Sequence, residues 1–189
     1  MTARLTLVCH ASTSAVRASA FPADEPIEPG GREQAIALRK SLPKADQCFT
    51  SPELRCRQTA DALGLVAEEQ PVLRECDYGS WRGRGYDEVA ASEPEAVAAW
   101  LRDPLAARHG GETLQSLLDR VGVWLAAQNT QQRRTLVVTH PSIIRAAIVH
   151  AIEAQPHSFW RIDVAPLSAA RLSGDGRRWN LGALAALTA

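Results

Sequence analysis

His10, Arg55, Glu75 and His140 are the side chains of this sequence whose types could together move a phosphoryl group. An imidazole is a nucleophile or a proton shuttle near neutral pH. Arginine presents a planar fork of donors that fits phosphate oxygens in pairs. A carboxyl can protonate a departing alkoxide. The spacing lets these groups converge. His10 ends the apolar run Leu5-Thr6-Leu7-Val8-Cys9, and His140 ends Thr135-Leu136-Val137-Val138-Thr139. Both runs read as buried strands, and in an open α/β sheet ligands bind outside the carboxyl ends of the strands. Two imidazoles 130 residues apart (140 − 10) can therefore meet at one sheet edge. Arg55 stands in the first turns of a helix for which Ser51-Pro52 reads as N-cap and N1. His140 is followed by Pro141-Ser142 and another helix start. Helix N-termini offer free N–H groups and a positive dipole end to anions. Two imidazoles, one arginine and two helix starts, with Ser142 in the second, describe a phosphate site, and Glu75 is the acid that could complete it.

The elements that must position these groups alternate between β and α. A strand at 4–9 leads into a long loop at 11–30 that carries Arg17. A helix follows from Gly31 to about Leu42, stopped by Pro43, and then a short strand at 46–50. The helix from Ser51 ends near Gly64, a C′ glycine. Residues 72–76 read as extended, 79–86 as loop, and about 93–102 as helix. Leu114, Leu117, Leu118, Val121, Trp124 and Leu125 recur at the helical period. A strand at 135–139, a helix from about Ser142 to Glu153, strands at 159–164 and 169–173, and a turn at 174–176 before Trp179 complete the chain. This alternation predicts an α/β sandwich.

Bulk properties narrow the function. At 189 residues the chain reads as one domain, 1–189, long enough to bury a core. Lys+Arg and Asp+Glu are both 21, so the formal net charge is zero, which argues against nucleic acid as a partner. No apolar stretch approaches the ~20 residues of a membrane span, and Met1 leads straight into the first strand without a signal peptide. A cytoplasmic protein with no membrane partner is expected. Oligomeric state is open. Four cysteines, at 9, 48, 56 and 76, lack metal-ligand spacing, and Cys9 and Cys76 are expected to fill core space behind the site.

Several separated motifs give the chain a family resemblance. They are Leu7-Val8-Cys9-His10-Ala11; Asp24-Glu25-Pro26-Ile27 with Gly31 and Gln34-Ala35; Ser51-Pro52-Glu53-Leu54-Arg55-Cys56-Arg57-Gln58-Thr59-Ala60; Leu73-Arg74-Glu75 with Gly79 and Trp81-Arg82-Gly83; Gly110-Gly111-Glu112-Thr113 with Arg120-Val121; and Val137-Val138-Thr139-His140. In this order they resemble the histidine phosphatase superfamily, whose fold is phosphoglycerate mutase-like.

The resemblance implies a three-layer α/β/α sandwich with a mostly parallel central sheet. It implies a phosphomonoester hydrolase in which His10 attacks phosphorus and becomes phosphohistidine, its other ring nitrogen donating to a backbone carbonyl. Arg55 and His140 would hold the phosphoryl oxygens. Glu75 would protonate the leaving oxygen and then activate water. The substrate would be a phosphorylated small molecule, with no metal or organic cofactor. A phospholigand-binding protein without catalysis and a phosphomutase are the alternatives.

Two places depart from the pattern, and a third repeats it out of place. Cys9 replaces the family's first phosphate arginine, and losing one such donor costs about 10²–10³ in rate in other enzymes. Arg17 is expected to reach back into the pocket as the substitute cation. Arg82, in place of a glutamate, makes a basic loop with Arg84 that could contact a second anionic group. Arg108-His109-Gly110 spells the family tripeptide but follows no strand, so the nucleophile is assigned to His10. His150 and His157 are expected to be structural or solvated.

Overall fold

In a computed structural model, residues 2–188 are described; Met1, read above as leading into the first strand, lies outside them. The elements in chain order are β1 (Ala3–Cys9), α1 (Ser14–Arg17), α2 (Pro29–Ala37), β2 (Gln47–Thr50), α3 (Leu54–Ala62), β3 (Glu68–Glu69), α4 (Tyr86–Ser92), α5 (Pro94–Arg102), α6 (Leu114–Asn129), β4 (Arg134–Thr139), α7 (Pro141–Ala151), β5 (Ser168–Gly174) and β6 (Trp179–Ala186). The six strands form one sheet in the order β3-β2-β4-β1-β5-β6. β3, β2, β4 and β1 are mutually parallel, and β5 and β6 run antiparallel at one side.

Strand alternation divides the core into two layers. Leu5, Leu7 and Cys9 of β1 point to one face and pack with Leu117, Val121 and Leu125 of α6 and with Ile143, Ile144 and Ala147 of α7. Val8 points to the other face and packs with Leu136, Val138, Ala35 of α2 and Cys56 and Ala60 of α3. These helical layers on either side of the sheet make the three-layer α/β/α sandwich. A third cluster of Phe21, Trp81, Val89, Val97 and Trp100 joins the 11–30 loop to α4 and α5. Among the described residues no helix is long and apolar enough to cross a membrane.

Four expectations are corrected. α3 begins at Leu54, and Glu53, not Ser51, is its N-cap. The Ser51 amide continues the strand ladder to the Val138 carbonyl (3.0 Å), while the Leu54 amide is capped from afar by Asp24 Oδ1 (2.7 Å). Residues 71–73 form a 3-10 turn opened by Pro71, and the pairing segment is Glu68–Glu69 instead. Residues 156–161 form a 3-10 turn and not a strand; Phe159 is buried and Trp160 stacks edge-on against Trp100 at 4.4 Å. A short apolar run does not distinguish strand from helix by periodicity. The helix after the long loop starts at Pro29 and becomes 3-10 over Leu38–Ser41.

Two loops meet closely beside the Glu75 segment. The Glu112 amide donates to the Asp77 carbonyl (2.7 Å), and a Cβ at Gly111 would overlap that same Asp77 carbonyl oxygen. A Gly111→Ala variant is expected to lose about 2 kcal/mol or more of stability, because the obstacle is backbone and cannot rotate away. An unchanged urea midpoint would show that the approach of these loops does not hold the segment.

Candidate active site

The two histidines meet because β1 and β4 are parallel neighbours in register, Cys9 opposite Thr139. Each strand ends one residue before a histidine, and the His10 amide still donates to the Thr139 carbonyl (2.9 Å). The rings stand 5.4 Å apart at 65°. β2 lies on the other side of β4, so Ser51, Glu53 and Arg55 leave the sheet at the same edge.

His10 is buried, and its Nδ1 donates to the Ala11 carbonyl at 2.8 Å. That fixes the tautomer and leaves the lone pair on Nε2. Burial, then the neighbouring His140 and Arg55 charges, lower its pKa to about 3. The ring is therefore neutral at ordinary pH. The Ala11 peptide is itself held: its amide donates to Thr59 Oγ1 (3.0 Å), and that hydroxyl donates to the Arg55 carbonyl (2.7 Å).

Arg55 is 1% exposed. Its Nη2 lies 3.5 Å from Glu53 and 3.9 Å from Glu75, and its Nη1 lies 3.9 Å from Asp24. Its Nε and Nη1 are buried without a hydrogen-bond partner among the described residues. Burial opposes its charge, but the carboxylates of Glu75 and Glu53 more than offset this and raise its pKa. A fully charged guanidinium with two uncommitted buried donors is set for an oxyanion.

Glu75 is held by its backbone. Arg120 of α6 donates to the carbonyls of Val72 (2.6 Å), Arg74 (2.9 Å) and Glu75 (3.2 Å), and its charge is paired with Glu112 (2.6 Å). Thr139 Oγ1 donates to the Leu73 carbonyl (2.9 Å). The Glu75 carboxyl accepts from the Cys76 amide (2.9 Å) and from the Ser142 hydroxyl. It stands in the wall between two cavities. One, of about 410 Å³, holds His10, Ser142, Tyr78 and Arg145; the other, of about 390 Å³, holds Glu53, Arg55, Arg74 and Arg82.

The structure brings His10, Arg55, Glu75, His140 and Ser142 together. It does not bring Arg17: that side chain is 74% exposed and pairs with Glu28 at 3.0 Å. α1 is a single turn capped by Thr13, and its last residue points outward. Sequence reasoning missed Arg145, which lines the cavity with His10 and is steadied by the Ile162 carbonyl (2.7 Å) and the Phe159 ring. The available signal was its spacing, three residues after Ser142 on the same helix. It also missed Glu53, whose Oε2 lies 2.5 Å from His140 Nε2.

Of the basic loop, Arg84 is committed to Glu88 (2.8 Å) and Glu93 (2.6 Å), while Arg82 lines the second cavity. Cys9 and Cys76 are buried, as expected, and burial raises both thiol pKa values. His109 is buried against Trp81 (4.8 Å), and its Nδ1 accepts from the Gly111 amide (3.1 Å). His150 Nε2 donates to the Leu118 carbonyl (2.7 Å), and His157 is exposed. Among the described residues no three His, Cys, Asp or Glu side chains gather in a way that could hold a metal ion.

The family model "Histidine phosphatase superfamily (branch 1)" matches residues 5–186. A glucosyl-3-phosphoglycerate phosphatase of Mycolicibacterium vanbaalenii is 32% identical over 177 residues, 84% of this chain and 78% of that protein. Phosphoserine phosphatase 1 of Hydrogenobacter thermophilus is 27% identical over 146 residues, 72% of this chain and 69% of its own. Some longer mycobacterial relatives match over 37% of their length. A mycobacterial glucosyl-3-phosphoglycerate phosphatase solved with VO3 superposes with a TM-score of 0.84 at 26% identity, covering 97% of this chain and 98% of that one.

The low pKa of His10 gives a direct expectation. Its ring resonances should not titrate between about pH 4.5 and about pH 8, whereas an unperturbed imidazole titrates near 6.5. A midpoint near 6.5 in a pH series of imidazole NMR spectra would mean that the ring is not held neutral by burial.

Proposed function

Because the chain belongs to the histidine phosphatase superfamily, we propose that it hydrolyses phosphomonoesters through a phosphohistidine formed on His10, with Glu75 as the proton donor. The observation that carries this reading is the His10 tautomer: Nδ1 is spent on the Ala11 carbonyl, in a ring that lines a cavity shared with a carboxyl. A nucleophile oriented through its second nitrogen, with an acid at hand, is what phosphoryl transfer needs and what simple binding does not.

In the first step His10 Nε2 forms a bond to phosphorus as the bond to the leaving oxygen breaks, and Glu75 gives that oxygen its proton. In the second, Glu75, now a carboxylate, takes a proton from water as the water attacks phosphorus. The P–N bond breaks, inorganic phosphate leaves, and both residues are restored. Arg55 holds the nonbridging oxygens through its free Nε and Nη1, where charge stabilisation contributes most. His140 holds a further oxygen. The residues present supply nucleophile, acid and charge without a metal.

Arg145 supplies the second cation beside the nucleophile, the role that sequence reasoning gave to Arg17. It lines the cavity with His10, whereas Arg17 is spent on Glu28 at the surface. In an in-line displacement the leaving group departs opposite the nucleophile. The cavity that contains Arg55 and Glu75 but not His10 suits it, and the exposed Arg74 and Arg82 there favour a small polar substrate with a further anionic group.

The test is phosphate release from a panel of phosphomonoesters by wild type and His10→Ala. Release should vanish in the variant, and wild type quenched during turnover should carry an acid-labile, alkali-stable phosphate on His10. Release that survives His10→Ala would refute the mechanism.

A paired substitution tests the second cation. Arg145→Ala should lower kcat/KM by about 10- to 100-fold, and Arg17→Ala should leave it within about twofold. The reverse ranking would return the role to Arg17.

A further inference from the structure

Glu53 gathers the parts of this site more tightly than its place in the sequence suggests. Its Oε2 meets His140 Nε2 at 2.5 Å, the Glu75 amide at 3.0 Å, Ser51 Oγ at 3.3 Å and Arg55 Nη2 at 3.5 Å. One oxygen thus touches a candidate oxyanion ligand, the backbone of the candidate acid and the buried guanidinium. Ser51 Oγ lies 2.8 Å from the same His140 nitrogen. His140 Nε2 is therefore fully occupied by protein.

We propose that Glu53 is a positioning residue for phosphoryl transfer: by accepting the Nε2–H of His140 as its counter-ion it lets the ring carry a second proton on Nδ1, turns that Nδ1–H toward the reacting phosphoryl group, and ties the ring to Arg55 and to the Glu75 backbone. The inference rests on the phosphatase reading above. Nδ1 is the nitrogen left for a substrate. Its nearest carboxyl oxygen, on Glu75, is 3.7 Å away, too long for a direct hydrogen bond. The Cys56 sulfur lies 3.4 and 3.7 Å from the two ring nitrogens and packs against the ring, so its plane is held as well.

The electrostatics support a permanent carboxylate. Burial would push the Glu53 carboxyl up, but the hydrogen bond from His140, then the charges of His140 and Arg55 and the Glu75 amide, bring it down to about 2. Removing such a partner leaves its buried donors unsatisfied. A carboxylate that orients a histidine through its remote nitrogen fixes which nitrogen can act. Two carboxyls, Glu53 and Glu75, then face the two ring nitrogens of His140 and share Arg55 Nη2, one orienting and the other reacting.

Two variants separate this role from a merely structural one. Glu53→Gln keeps the shape and an acceptor oxygen but not the charge; Glu53→Leu removes both. kcat and KM would be measured on the best panel substrate, and the His140 tautomer read from long-range ¹H–¹⁵N imidazole spectra. Wild type should show a proton on Nε2. Glu53→Gln should lower kcat about 10-fold and Glu53→Leu about 100-fold, each with KM within about threefold. In Glu53→Leu the Nε2 proton signal should weaken or move to Nδ1. An unchanged His140 spectrum in Glu53→Leu, or a folded Glu53→Leu with full kcat, would overturn the proposal. Should Glu53→Leu fail to fold, an unchanged kcat in Glu53→Gln overturns it equally. A wild type that releases no phosphate from any ester would instead defeat the phosphatase reading, and the spectra would still report whether Glu53 sets the ring.

Discussion

The site depends on the parallel pairing of β1 with β4. With Cys9 opposite Thr139, both strands end at one level, and the next residue of each is a histidine. A slip of one residue would turn each side chain of β1 to the other face, exchanging Leu5, Leu7 and Cys9 for Thr6 and Val8 against α6 and α7. The hydrophobic pattern that fills the two helical layers is therefore the same pattern that brings the imidazoles together. No separate device is needed to align them.

Around that edge the protein satisfies a demanding electrostatic condition. Arg55 is buried and charged, and two of its nitrogens have no partner among the described residues. A buried cation is tolerated only when compensated. Glu53 and Glu75 compensate it at Nη2 from distances of 3.5 and 3.9 Å, leaving Nε and Nη1 free. Closer pairing would occupy the fork, and greater distance would leave the charge exposed to an apolar core. The same balance keeps His10 neutral, because the nearby positive charges add to burial in opposing its protonation.

Much of this was legible in the sequence, for physical reasons that differ by residue. His10 and His140 could be read because buried strands carry a dense apolar signature and a polar residue at their end stands out. Arg55 could be read because Ser-Pro marks a helix start, although the cap itself proved to be Glu53 with help from Asp24. Glu53 was illegible because an acidic residue at a helix N-terminus already has an ordinary explanation in the dipole. Only its 2.5 Å approach to His140 marks it out. Arg17 was misplaced because a loop of twenty residues does not reveal its turns. Thr13 caps one turn there, and that turn carries Arg17 to the surface. The run at 159–164 misled because its aromatic rings bury equally well from a 3-10 turn.

The attachment of Glu75 separates two kinds of change that mutation could bring. Its backbone hangs from α6 through Arg120 and from β4 through Thr139, both parts of the sandwich. Arg82, across the second cavity, belongs to a loop held instead by the Trp81 cluster and by contacts to the 11–30 segment. Drift in that loop can reshape what enters the cavity while the carboxyl stays where the scaffold hangs it. The fold thus gives the carboxyl and the loop that faces it separate supports, so that the shape of the cavity mouth and the placing of the acid can vary independently.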